Sequence, residues 1–468
     1  MRIWGANSVG IGGLLAASAM LAEILYKLTN SSSFFYLAVA FLTSAIGIYF
    51  PQIGWSKRLY VLIGIVLSLW TLTYLDTGIA TLVNGLERSV FTAAFFIAML
   101  SISSAAVSSS MLINCGLFIV QQPSGRRYAA LTVGGHLFGL VMFYGAITLL
   151  GSLVAAKATK NGACENLGTQ RMLLAVQRGF ASTLPWTPLA FPVAVTIAII
   201  PGANWAHSVF FCGCSSLIIM SVGWILDAVG KRQEAAVASN IKFSQAEWSR
   251  HLWPLLLLLG CILACASTVS FAMGLRISES VTIVAPMIAV IWLLFQSQNS
   301  EFLGQRAFLR QRLAAFSFEE LPRARGEFTL VIMAPLIGIL GAGLLLPMTG
   351  GFDMHLDTFP PPVLLVIIFW LLPVTGQLGM HPLLIVSFLA PLIPDPVTLG
   401  INPAVLVTTI TSSWALTNIT SPFTASVLVV ARLGKVSPLQ AGLNWNGLFG
   451  LLAGIILSIW ISVLAILI

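Results

Sequence analysis

The chain has 468 residues, of which 58% are hydrophobic and only 8% charged, with a mean hydropathy of +0.96. A soluble domain carries roughly 25% charged residues; no water-soluble fold hides so much apolar surface, so the composition specifies a polytopic membrane protein. The net charge of +8 does not point to nucleic acid, because the cations sit in short loops between apolar runs, the positive-inside pattern, and leave no soluble face for a binding stripe.

Apolar runs lie at about 9–28, 33–50, 59–76, 90–119, 128–156, 187–203, 207–229, 253–273, 280–297, 328–349, 361–377, 383–394, 404–431 and 445–467. The first is too long and too poorly flanked for a cleaved signal peptide. The run at 128–156 exceeds one crossing, and 383–394 falls short of one. An all-α protein with about 11–13 transmembrane helices is expected, including re-entrant segments. Lys57-Arg58, Arg126-Arg127, Lys231-Arg232 and the group Arg306, Arg310, Arg312, Arg323 and Arg325 should face the cytoplasm. Three apolar runs separate Arg127 from Lys231, yet both ends read as cytoplasmic, so one run must turn back.

The longest polar stretch, Gln296 to Glu327, contains an amphipathic segment from Phe308 to Phe316 that suits the membrane surface. The expected organisation is peripheral helices at 1–89, a first transport repeat at 90–230, connecting helices and the surface linker at 231–327, and a second repeat at 328–468. The repeat rests on a shared order of features. Gly135-His136 opens an apolar run, and Ser182-Thr183-Leu184-Pro185-Trp186-Thr187-Pro188 follows it; Gly379-Met380-His381 opens another, followed by Ser412 to Pro422. Each unit thus holds a glycine, a histidine, an apolar hairpin and a Ser/Thr-rich break ending in Thr-Pro or Ser-Pro. Two re-entrant hairpins and two broken helices, arranged as an inverted repeat, would place a site at mid-membrane.

Broken helices aim free N–H groups and positive dipole ends at whatever binds between them. The candidate binding residues are Ser413, Thr417, Asn418, Thr420 and Ser421 in the second half, with Ser412 and Thr424 beside them, and Ser182, Thr183 and Thr187 in the first. The alternative for each hydroxyl is a bond back to its own helix or to a neighbour. His136 and His381 are candidates because imidazole takes a proton near neutral pH; a packed neutral histidine is the alternative. Glu23 lies within the first run, Asp227 suits a surface pair with Lys231-Arg232, Glu279 and Asp395 suit loops, and Arg432 before Gly434 suits a cytoplasmic anchor at a helix end. Neither break contains a carboxylate. A cation carrier generally needs one, whereas helix N-termini and hydroxyls suit an anion.

The six cysteines have no metal-ligand spacing and suit small buried fillers. There is no P-loop, metal cluster or nucleophile elbow. No enzyme activity, metal or cofactor is expected, and transport energy would come from a solute or ion gradient.

The plan of paired hairpins and broken helices, with Thr417-Asn418-Ile419-Thr420-Ser421-Pro422, resembles the ion transporter superfamily. That group includes dicarboxylate and citrate carriers, the arsenite pump subunit and the large membrane subunit of tripartite periplasmic carriers. The likeness covers about residues 90–230 and 328–468. It implies that Asn418 and Thr420 touch substrate or coupling ion. The first break lacks an asparagine, a departure from a two-site sodium arrangement. The expected function is therefore a secondary transporter, or permease, of the bacterial inner membrane. It would move a small anion such as an organic acid or oxyanion with a proton or sodium ion, in the lipid bilayer, alone or as a homodimer. A non-transporting membrane subunit of a larger complex is the alternative; a lipid or glycan handler would need longer charged loops.

Overall fold

A computed structural model of the chain describes residues 2–160, 167–230, 245–298, 304–348, 358–393 and 395–468. Regular structure among them is entirely helical, and ten helices are long and apolar enough to cross a bilayer. The chain is an all-α polytopic membrane protein. In order come α1 (Arg2–Thr29), α2 (Ser32–Tyr49), α3 (Trp55–Tyr74), α4 (Gly78–Val107), α5 (Ser110–Val120), α6 (Ser124–Met142) and α7 (Gly145–Lys160). Then follow α8 (Leu167–Ala181), α9 (Phe191–Ile199), α10 (Trp205–Gly230), α11 (Gln245–Met273), α12 (Ile277–Gln298), α13 (Gln305–Ala315) and α14 (Leu321–Arg323). The last are α15 (Arg325–Met348), α16 (Pro361–Gln377), α17 (Pro382–Leu389), α18 (Pro403–Thr420), α19 (Ala425–Gly434) and α20 (Gly447–Leu467).

Ten helices among the described residues meet that length and apolarity, and several further apolar runs are split or short. Residues 128–156 form two helices broken at Phe143-Tyr144, where Phe143 adopts φ 52°. The run at 187–203 yields only the nine residues of α9, and 383–394 only the eight of α17 followed by a 3-10 turn. At 1.5 Å per residue, α17 reaches only about 12 Å, well short of a hydrocarbon core of about 30 Å.

The chain forms two compact units, each drawing on both halves of the sequence. The first comprises Met1–Ala105, Ile262–Met354 and Leu383–Pro394. Within it, α4 is tied to α15 by hydroxyls: Ser89 Oγ donates to Ile332 O at 2.8 Å and Thr92 Oγ1 to Val331 O at 3.0 Å. A Cβ at Gly338 would lie 2.5 Å from Ser387 Cβ, so only glycine lets α17 approach α15 this closely. Helix α13 buries no residue. Glu279 is not in a loop; it lies in the first turn of α12, 2.8 Å from Lys27 of α1, whose other carboxylate neighbour is the buried Glu23 at 3.9 Å.

The second unit comprises Ala106–Cys261, His355–Pro382 and Asp395–Ile468. Its axis is α18, in which every residue from Ala404 to Thr420 is buried. Sequence sets its start: Pro403 occupies the first turn, where no N–H is needed, and Asn402 Oδ1 accepts from Ala404 N at 2.9 Å. Asp227 pairs with Arg171 at 2.8 Å, correcting the expected partner; Lys231 and Arg232 lie outside the described residues, as does Pro394 beside Asp395. The cap after Arg432 also differs from expectation. Lys435, not Gly434, takes the left-handed conformation (φ 53°), while Gly434 makes room for Trp445, whose Cη2 would lie 2.7 Å from a Cβ there. Cys212 is buried 3.3 Å from Thr408 Oγ1, but Cys261 and Cys265 are exposed rather than packed.

Without a hydrophobic drive between helices in lipid, close packing of small residues holds them together. Helices α6 and α8 meet through glycines on both sides. A Cβ at Gly135 would lie 2.5 Å from Val176 O, and one at Gly179 would overlap Thr132 O. Gly179→Ala is therefore expected to cost about 1–3 kcal/mol, read as a lowered melting temperature of the purified protein. Gly213→Ala, at a glycine with open space around it, should melt with the parent. Equal melting of the two variants would contradict this packing.

Candidate functional site

Helix α8 stops at Ala181 and resumes as α9 at Phe191; α18 stops at Thr420 and resumes as α19 at Ala425. Both interruptions fall in the Ser/Thr/Pro segments singled out in the sequence. The two broken helices pack on each other: Phe191 of α9 meets Trp414 of α18 edge-on with centroids 6.2 Å apart, and Leu433 of α19 fills the space beside Gly151 of α7.

In the first break, Pro185 and Pro188 supply no N–H, and the chain tightens into turns, Thr183 N bonding Phe180 O and Leu184 N bonding Ala181 O. The exposed carbonyl of Trp186 is taken by Trp205 Nε1 at 2.8 Å. His136 Nδ1 lies 2.7 Å from Ser182 Oγ, and its ring stacks on Trp186 at 5.8 Å and 6°. Because the Ser182 hydroxyl donates to Gly179 O, the shared bond makes His136 the donor from Nδ1, leaving Nε2 as an acceptor. Thr183 Oγ1 donates to Phe180 O, and Thr187 Oγ1 accepts from Leu189 N.

In the second break, Ser421 and Pro422 end the helix, and the freed carbonyl of Asn418 accepts from Thr424 Oγ1 at 3.0 Å and from Ser426 Oγ. Much of the hydroxyl cluster is spent on packing. Ser413 donates to Phe369 O and Ser421 to Gly376 O, both on α16, while Thr417 and Thr420 bond back to Ser413 O and Leu416 O. Asn418 behaves differently. Its Nδ2 donates to Tyr144 Oη at 3.2 Å, at the tip between α6 and α7, and its buried Oδ1 has no partner. Ser412 Oγ is likewise buried and unpaired. Tyr144 in turn touches Phe180, one residue from the end of α8, with centroids 5.2 Å apart. His136, Ser182, Tyr144 and Asn418 are thus drawn from both halves into one region. His381 lies half-buried in the turn between α16 and α17.

One residue near this region was not foreseen as functional. Arg178, only 6% exposed, donates from Nε to Asn446 Oδ1 at 3.1 Å and from Nη1 to Tyr128 Oη at 3.0 Å, and its guanidinium lies 4.3 Å from the Phe449 ring centre. No carboxylate pairs with it among the described residues, since the nearby Asp227 is engaged by Arg171. An arginine placed within the apolar interior of a membrane protein is costly, up to about 2.5–3.5 kcal/mol at mid-bilayer on insertion scales. Hydrogen bonds to a charged group return about 1.5–3 kcal/mol each, so neutral partners hold this guanidinium without cancelling its charge. An ionisable residue amid Leu173–Val176 and Phe180 was the available sequence signal.

No family model and no curated protein matches the chain. Among solved structures, the Alcanivorax borkumensis YdaH transporter superposes with a TM-score of 0.56 at 18% identity, over 87% of this chain and 97% of that one. The chain shares the fold of that transporter. Neisseria gonorrhoeae MtrF, described as illuminating a class of antimetabolite efflux pumps, superposes with a TM-score of 0.51 at 12% identity, over 86% of this chain and 94% of the other. Among the described residues, no three His, Cys, Asp or Glu side chains gather closely enough to hold a metal.

The two hydroxyls on Asn418 O give a direct test of how this break is stabilised. Thr424→Val or Ser426→Ala alone should cost little, since the other hydroxyl remains. Together they strand a buried carbonyl, at a cost of about 1–3 kcal/mol. Melting of the two single variants and the double variant checks this; a double variant no less stable than either single one would refute it.

Proposed function

We propose that the chain is a secondary carrier of the ion transporter superfamily type, moving a small anion such as an organic acid or oxyanion on a proton or sodium gradient. The observation that carries this reading is the pairing of two broken helices within one compact unit, their breaks free of carboxylates. Interrupted helices leave backbone groups that lipid cannot satisfy and that a transported solute can. Asn418 contributes the most direct group, with an amide oxygen left unpaired in the break region. That acceptor suits a sodium ion or a donor on the solute. Thr417, Thr420, Ser421 and Ser413 on the one side, and Ser182, Thr183, Thr187 and His136 on the other, shape the surroundings; His381 belongs to the second hairpin in the same scheme. The two halves would be inverted repeats, the membrane a bacterial inner membrane, and the working unit a monomer or a homodimer. The likeness to YdaH and MtrF supports the transporter class, and MtrF adds outward movement as a direction to test.

A second reading has an observation of its own. Ser413, Thr417, Thr420 and Ser421 all bond to backbone carbonyls, as they would in a non-transporting subunit of a larger complex. Reconstituted liposomes separate the two. With an imposed sodium or proton gradient, the carrier should take up or expel one of a panel of labelled organic acids and phosphate. Asn418→Ala should reduce that flux at least about tenfold, equivalent to about 1.4 kcal/mol, without loss of folded protein. Absence of gradient-driven flux for the whole panel, or full flux in the variant, would count against the proposal.

A further inference from the structure

The cluster around Arg178 has a fixed direction of hydrogen bonding. Arginine only donates, so the Asn446 atom facing its Nε must be the amide oxygen. The Asn446 Nδ2 then points to Gln177 Oε1 at 3.1 Å and to Ala441 O at 3.0 Å. That in turn turns Gln177 Nε2 outward from the chain of bonds, fully buried and with no partner. Arg178 Nη2 also finds no partner among the described residues. Five parts of the second unit build this niche: Tyr128 of α6, Gln177 and Arg178 of α8, Gly223 of α10, Asn446 after the π-helical turn, and Phe449 of α20. A Cβ at Gly223 would lie 3.0 Å from Tyr128 Oη and 3.3 Å from Arg178 Cδ, so glycine lets α10 pack close against the guanidinium and its tyrosine partner. The result is a guanidinium held by neutral partners and a buried amide donor, Gln177 Nε2, left unpaired, while the Asp227 carboxylate is paired with Arg171.

We propose that Gln177 and Arg178 form an anion-recognition site in which the carboxylate, or a comparable oxyanion group, of the solute accepts from the donors the cluster leaves free. The proposal rests on the anion-carrier reading and adds the residues that sense the charge. Ser182 lies four residues further along the chain, just past the end of α8 and about 6 Å on at helical rise, so a solute held at Arg178 would extend toward the first break. Tyr128, Asn446 and Phe449 are positioning residues, which hold the guanidinium and take no part in the contact.

The test uses the full-length protein in detergent, melted at constant sodium and ionic strength while chloride is replaced by acetate, succinate or phosphate. At least one oxyanion should raise the melting temperature saturably. Arg178→Lys, which keeps the charge but loses the planar fork, should weaken that response at least about tenfold, or about 1.4 kcal/mol. Gln177→Glu is the decisive variant, because it places the missing carboxylate inside the cluster. It should raise the melting temperature of the anion-free protein and abolish the response to added oxyanions. A purely structural latch predicts the reverse: no gain in stability from Gln177→Glu and an unchanged anion response. No oxyanion response in the parent protein, or a parent-like response in both variants, overturns the site. Oxyanion binding without flux in liposomes would keep the site and remove the carrier reading; flux that survives Gln177→Glu would keep the carrier and remove the site.

Discussion

Everything in this structure follows from the requirement that backbone polar groups inside lipid find partners within the protein. An unbroken helix meets it automatically. The second unit breaks two helices, and at each break side chains replace the missing intrahelical bonds. Thr424 and Ser426 take the carbonyl of Asn418, Trp205 takes that of Trp186, and turns of the 3-10 kind close the end of α8. The chain can therefore hold irregular backbone in an apolar environment without unfolding, which is what a binding region between interrupted helices needs.

Close packing sets where those breaks stand. Gly135 and Gly179 bring the backbones of α6 and α8 together, and that approach puts His136 against Ser182 and stacks it on Trp186. On the other side, Gly376 lets α18 lie against α16, a Cβ there falling 2.5 Å from Thr417 Cγ2. Ser413 and Ser421 then bond across to α16. Asn418, Ser412 and Gln177 nonetheless keep a buried polar atom without a partner.

The class of protein, the course of most spans and the positions of both breaks were legible from hydropathy and from Ser/Thr/Pro clustering. Proline alone was a weaker guide than it looked. Pro254, Pro286, Pro335, Pro347 and Pro373 all lie inside continuous helices, where neighbouring groups can absorb one missing donor. The breaks occur where proline coincides with several hydroxyls able to serve the freed carbonyls. Long-range partners were not legible. Nothing in local spacing ties Arg178 to Asn446, 268 residues away, or Asp227 to Arg171, and nothing tells which hydroxyls face α16 rather than the opposing broken helix. The left-handed cap at Lys435 was missed because Gly434, the obvious candidate, is needed one position earlier for the Trp445 ring.

The account depends most on the meeting of the first hairpin tip with the second broken helix, where Asn418 Nδ2 reaches Tyr144 Oη across 274 residues of sequence. The direct measurement is cross-linking in native membranes. Tyr144→Cys and Asn418→Cys are combined in a chain whose other cysteines are replaced, and treated with a short bifunctional thiol reagent. The account predicts efficient intramolecular cross-linking of the pair and none for either single variant. Failure of the folded double variant to cross-link, with each cysteine alone still reactive, would contradict it.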